Sequence, residues 1–231
     1  MSDTFYVMEV KKPPNTKLLI AILAIVVALL TTFLQGYNVI ICSLCFGTFL
    51  FLMCSFFITK EPREASFLYF SLRIWVLIVI TLYLGMLSGL LYSYVRTLEA
   101  VEFVKSVGEV LVSLRSPIMI FLFNLPKGLL GAIPYLGPFI IGVAGGNSGF
   151  IMGSAVYSIY FSGEKFRALV ASLVAFHPYG FLELFSYSTF ITASLYFKEK
   201  MWRQALKLVG LAIALLLIAA YVESWELEFF E

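Results

Sequence analysis

The sequence predicts an all-α fold: a polytopic transmembrane helical bundle of about six to seven spans. Its C-terminal half is expected to contain broken or re-entrant helices, and residues 96–115 one amphipathic surface helix. Three observations predict this. Apolar residues fill 61% of the 231 positions and charged residues only 13%, against roughly half and a quarter in soluble domains. The apolar residues form charge-free blocks over 18–34, 36–59, 74–95, 128–163 and 208–222. A helix rising about 1.5 Å per residue crosses a hydrocarbon core of about 30 Å with roughly 20 residues, and several blocks reach that length. Backbone polar groups in lipid must be satisfied within their own segment, so the spans are helices.

The elements follow in order. Residues 1–17 are a polar tail with Lys11, Lys12 and Lys17, and Pro13 and Pro14 keep it from being one helix. Residues 18–58 read as a hairpin of two spans, about 18–35 and 39–58, turned at Gln35-Gly36-Tyr37-Asn38. The first span is longer than the apolar core of a cleaved signal peptide and lacks a small-x-small exit before Tyr37, so it reads as retained. The charged loop Lys60-Glu61-Pro62-Arg63-Glu64 leads into a third span over about 67–95, where Arg73 can snorkel to the interface. In 96–115, Arg96, Glu99, Glu102, Lys105 and Glu109 recur at helical spacing, with Val101, Val104, Leu111 and Leu114 largely on the other face. Pro117 is expected to close this surface helix.

Residues 118–163 are apolar but interrupted by Pro126, Pro134, Pro138 and many glycines, so a fourth span is expected over about 118–143 and a fifth from near Phe150. Glu164-Lys165-Phe166-Arg167 is a charged connection. The apolar stretch 168–197 breaks at His177-Pro178-Tyr179-Gly180, as one kinked span or a re-entrant hairpin. A last span over about 204–222 precedes an acidic tail, 226–231.

Ionisable and amide groups inside the apolar blocks are costly and usually face the bundle interior. They are Asn124, Lys127, Asn147, His177, Glu183 and Glu223, all in the C-terminal half. Glu183 follows the Pro-Tyr-Gly break, where a buried carboxylate is either neutral or paired with a base such as Lys127 or His177. It reads as a proton- or ion-sensitive site or gate, or as a satisfied internal pair or helix cap. Asn124 and Asn147 read as interhelical hydrogen-bonding groups or substrate contacts. Glu223 ends the last span, at or near the interface.

Other chemistries are poorly served. The net charge is +2 and the basic residues form no patch with aromatic platforms, so nucleic acid is not an expected partner. Cys42, Cys45 and Cys54 lie in an apolar block far from the single histidine, and read as small buried hydrophobes; no metal set or cofactor is implied. The glycines of 142–149 lack the Gly-Lys-Ser/Thr of a phosphate loop, and no nucleophile elbow or triad occurs.

The stretch Phe176-His177-Pro178-Tyr179-Gly180-Phe181-Leu182-Glu183-Leu184 resembles a signature of the stage II sporulation protein M family, an apolar run followed by Pro-His-Gly, two apolar residues and Glu. The Gly180-x-x-Glu183 half is kept, and the order of histidine and proline departs from the pattern. Phe123-Asn124 with Gly128 and Gly131 is similar to the family's Asn-Asn segment, with Leu125 in place of the second Asn. The stretch from Asn147 through Gly153 is similar to its Asn-Gly-x-x-x-Gly piece, and Ala219-Ala220-Tyr221-Val222-Glu223 to its closing helix. The resemblance covers about 67–225, with the hairpin 18–58 as an addition. It implies a polytopic, non-enzymatic membrane protein working with other subunits of a membrane complex. Founding members of the family serve forespore engulfment together with cell-wall hydrolases. Carried over, the positions of interest are Asn124, Asn147, Gly180, Glu183 and Glu223, with His177 displaced within the motif.

The expected function is therefore a structural or scaffolding subunit in the cell membrane. Two rivals are a permease subunit of an ABC-type exporter, partnered by a cytoplasmic ATPase, and an intramembrane enzyme, for which one His and one Glu are a thin set. Lysine and arginine bias favours a cytoplasmic N-terminus: Lys11, Lys12, Lys17, Lys60, Arg63, Lys198, Lys200 and Arg203 fall inside, against Arg96, Lys105, Arg115, Lys165 and Arg167 outside.

Overall fold

The computed structural model describes residue 26 and residues 39–58, 60–112 and 116–229. Apart from Val26, the first span of the expected hairpin and the polar tail lie outside the described residues. Among the described residues, eight α-helices follow one another: α1 (Val39–Phe57), α2 (Phe67–Val95), α3 (Thr97–Val112), α4 (Pro117–Gly131), α5 (Gly137–Phe161), α6 (Lys165–Ser172), α7 (Pro178–Lys198) and α8 (Trp202–Phe229), with a 3-10 turn at Val174–Phe176. No strand occurs among the described residues. Among the described residues four helices are long and apolar enough to cross a membrane, namely Ile40–Phe57, Phe67–Val95, Gly137–Phe161 and Trp202–Glu226.

Helix α2 starts where the charged loop ends, with the Ser66 hydroxyl accepting from the Tyr69 amide at 3.4 Å. It runs beside α5 in the same direction, and glycine makes this possible. A methyl group on Gly85 would strike the carbonyl of Gly146, and one on Gly149 or Gly153 would strike the carbonyls of Leu82 and Met86. Small residues four apart on each helix bring the two backbones together, where dispersion and weak C–H···O contacts replace the absent hydrophobic drive. Helix α1 packs antiparallel on the same α5, with Gly142 against Phe46 and Leu50. Helix α7 lies antiparallel to α2, joined by the buried Ser71–Thr192 hydroxyl pair at 3.0 Å. Helix α8 returns antiparallel to α7, with Ser186 donating to the Ala212 carbonyl at 2.8 Å.

Several element boundaries differ from those the sequence suggests. The fourth span ends at Gly131 and not near 143, and the fifth begins at Gly137 and not near Phe150. The break is the turn Ala132–Leu136, where Pro134 has no amide hydrogen to give and Tyr135 sits at φ 66°. Glycines 142–153 do not break α5, because neighbouring helices pack onto its bare backbone. Pro126 is accommodated inside α4, and Pro117 opens α4 as its first residue instead of closing the surface helix. The connection 164–167 begins the short helix α6, and the last helix continues past 222 to Phe229, absorbing Glu226 from the expected tail.

The break at 177–180 is present. Residues 168–172 belong to α6, and Pro178 is the first residue of a new helix. The indole of Trp75 meets the rings of Phe176 and Phe181 at 6.2 and 5.1 Å, and Tyr83 donates to the Ser172 carbonyl at 3.0 Å. The start of α7 therefore lies level with the middle of α2, within the apolar length of the bundle. On α3, Ala100 is buried and Phe103 packs on Phe150 at 5.8 Å, whereas Val101 is 46% exposed and faces away from the bundle. Arg96 holds Glu99 at 2.9 Å, and this hydrogen bond keeps the Glu99 carboxyl below its ordinary range.

Two substitutions test the glycine contact. Gly85→Val drives a side chain into the α5 backbone and is expected to cost about 3 kcal/mol, the upper range for overpacking. Gly210→Ala, where an added methyl meets nothing within 4 Å, is expected to stabilise by about 0.5–1 kcal/mol. Thermal unfolding of the detergent-solubilised chain reads both.

Candidate functional site

Helices α4, α7 and α8 converge on one polar cluster. From α4 come Asn124 and Lys127, one turn apart on the same face. The Lys127 ammonium donates to the Asn124 Oδ1 at 2.9 Å and covers the Phe123 ring at 3.6 Å. Asn124 is buried. Lys127 also lies within electrostatic reach of Glu183 on α7 and Glu223 on α8.

Helix α7 contributes a stripe at intervals of four: Tyr179, Glu183 and Tyr187. Glu183 faces Lys127 and Tyr187. The buried Tyr187 hydroxyl points to this carboxylate without the distance and angle of a full hydrogen bond. Tyr179 faces three carboxylates, those of Glu223, Glu183 and Glu226. Helix α8 supplies Glu223 and, one turn later, Glu226. At the mouth, His177 Nδ1 meets the Glu226 Oε2 at 3.5 Å, with both side chains half-buried. The imidazole packs edge-on to Tyr179 at 5.9 Å.

Chain geometry explains how these groups meet. His177 has an extended backbone and caps α7, with Pro178 as the first helical residue. Gly180 lets this start fold tightly, since a methyl there would strike the Val174 carbonyl. The turn swings α7 back against α8, so the first turns of one lie beside the last turns of the other.

Of the seven residues singled out in the sequence, five are gathered here: Asn124, Lys127, His177, Glu183 and Glu223. Gly180 shapes the turn that brings His177 and Glu183 in. Asn147 is elsewhere, accepting from the Ser43 hydroxyl at 3.0 Å and so tying α5 to α1. The partners differ from the simplest expectation. Asn124 pairs within its own helix, and the partner of His177 is Glu226, not Glu183. Glu223 is part-buried in the last turns of α8 and faces Tyr179. Tyr179, Tyr187 and Glu226 complete the cluster. Their signal in the sequence is spacing alone, four residues on either side of Glu183 and three after Glu223.

The cluster holds three carboxylates to one lysine and one histidine. Among the described residues, no three His, Cys, Asp or Glu side chains are arranged to hold a metal ion. What the arrangement does chemically is gather charge and hydroxyl groups of three helices in an apolar setting, with α7 and α8 joined directly at His177–Glu226, where water competes little for the contact.

Removing the one ammonium isolates the carboxylates. Lys127→Met is expected to destabilise the solubilised chain by about 1.5 kcal/mol, through loss of its charge-assisted hydrogen bond to Asn124. Glu183→Gln in the same chain is expected to recover part of that loss, and the double-mutant cycle by thermal unfolding measures the coupling. Additive effects would mean that the two residues do not interact.

No protein-family model, no curated protein and no solved structure matches this chain, so the cluster is read on its own chemistry.

Proposed function

We propose that this chain is a non-enzymatic, multi-pass protein of the cell membrane that serves as a structural subunit of a membrane complex, as the resemblance to the stage II sporulation protein M family implies. The observation that carries this reading is the way the polar residues are engaged. Lys127 is tied to Asn124, His177 to Glu226 and Asn147 to Ser43. These are contacts within and between helices of the bundle, the pattern of a scaffold that fixes its own helix positions.

In this reading α1, α2, α4, α5 and α8 make five crossings, the broken segment from α6 through α7 a sixth and residues 18–35 a seventh. Lys60, Arg63, Arg73, Lys198, Lys200, Arg203 and Lys207 gather at one end of the bundle. That end is cytoplasmic by the positive-inside rule, which puts the N-terminus inside as well. The amphipathic helix α3 then lies at the opposite end. A coupling helix for a cytoplasmic ATPase would have to lie at the basic end, which weighs against the permease reading.

Two measurements test this. In a chain freed of its three cysteines, Arg63→Cys is expected to label only from the cytoplasmic side and Ser162→Cys only from outside; the reverse pattern would overturn the topology. In cells lacking the chain, partner subunits of its complex are expected to fall in membrane abundance by quantitative proteomics. Purified chain in liposomes is expected to carry no solute flux, and flux by the chain alone would overturn the structural role.

A further inference from the structure

At the basic end, a cleft of about 240 Å³ opens between α1 and α7. Cys54, Ile74 and Ile191 form its buried floor, and Ser55, Tyr135 and Lys198 its exposed mouth. The volume lies below the roughly 300–1,000 Å³ of pockets that enclose drug-sized ligands. Its volume and mostly apolar lining suit a slender apolar group. Its serine hydroxyls are already used: Ser194 donates to the Ile191 carbonyl at 2.7 Å and Ser55 to the Phe51 carbonyl at 2.9 Å. Lys198 is the one charged group in the lining.

Lys198 at the mouth, and Arg73 and Lys60 at the same end of the bundle, form no salt bridge among the described residues. Lys198 stands over the Tyr135 ring at 5.5 Å. Arg73, next to Ile74 of the floor, caps the Phe57 carbonyl at 3.3 Å and stacks on Tyr69 at 4.4 Å, with Lys60 over the same ring at 5.2 Å. The backbone is also constrained here. Tyr135 at φ 66° and Lys200 at φ 59° are the two non-glycine residues at positive φ among the described residues, and both belong to this end. Such positions are costly and cluster at ligand clamps. An aromatic in this conformation holds its ring beneath Lys198 at the mouth of the slot.

From these features we propose that the cleft binds a membrane lipid with an anionic headgroup, one acyl chain entering between α1 and α7 and the headgroup phosphate resting on Lys198. The complementarity is twofold: an apolar slot for the chain, and the Lys198 ammonium, without an acidic partner, at its mouth. The proposal is independent of the subunit role, since a scaffold or a transporter could equally carry a bound lipid.

The test uses the full chain reconstituted in phosphatidylcholine vesicles with trace spin-labelled phosphatidylglycerol or phosphatidylcholine. Electron paramagnetic resonance reads the motionally restricted fraction of each. The wild-type chain is expected to favour phosphatidylglycerol about fivefold, the factor corresponding to one basic contact near the surface. Lys198→Gln, at an exposed position, is expected to bring the preference close to one, and Lys105→Gln on α3 to leave it intact. Ser55→Trp, which plugs the mouth without altering charge, is expected to lower restricted phosphatidylglycerol. Equal restriction of both lipids by the wild type, or a preference that Lys198→Gln leaves unchanged, would overturn the proposal. Displacement of the labelled lipid by millimolar inorganic phosphate would also overturn it, by assigning the rim to a free anion with no part for the acyl chain.

Discussion

The close approach of α2 and α5 is the contact on which the rest of the bundle depends. Lipid gives no hydrophobic reward for bringing two apolar helices together, so their association rests on how near the backbones can come. Gly85 over Gly146, with Gly149 and Gly153 beneath the carbonyls of Leu82 and Met86, brings them to that limit. Once α5 is fixed against α2, its other faces receive α1 and, through the Ala132–Leu136 turn, α4. The position of α4 is what carries Asn124 and Lys127 to α7 and α8.

The polar cluster does work that apolar packing in a membrane does poorly. Leucine against leucine is little different from leucine against lipid, so it fixes neither rotation nor depth of a helix. The charge of Lys127 on α4 is attracted towards Glu183 and Glu223, and the contact between His177 and Glu226 fixes the start of α7 against the end of α8. The stripe Tyr179, Glu183 and Tyr187 turns one face of α7 towards these partners along its first turns. The same logic makes the cluster fragile, because every charge in it depends on another.

Parts of this were legible in the residues. The boundaries of α1 and α2 follow from where charges stop and start around 58–66 and at Arg96. The break before Pro178 follows from the proline and the glycine that follows it. The α4–α5 boundary was harder to read, because nine glycines and three prolines compete as breakers over 118–163 and local sequence does not rank them. Pro134 wins because it lies at the bundle's end, where a turn can be solvated. Pro126 and the glycines of α5 lose because packed neighbours support the helix around them. The buried polar residues could be picked out one by one, since a charge in an apolar block is conspicuous. Their pairings could not, and Tyr179, Tyr187 and Glu226 were invisible as members because tyrosines and terminal glutamates are ordinary in membrane helices.

The sequence by itself determined that this chain is helical and apolar enough for a membrane, which residues must leave lipid, and that they crowd into its second half. Composition and charge spacing suffice for that, because the cost of a charge in hydrocarbon depends on the charge and little on the fold. The tertiary structure alone decided which of those residues share a site. It joined Asn124, Lys127, His177, Glu183 and Glu223 and sent Asn147 to a different helix pair, because contacts across a bundle depend on helix rotation and depth. Those are set by glycine contacts and turns distant in sequence from the groups they bring together.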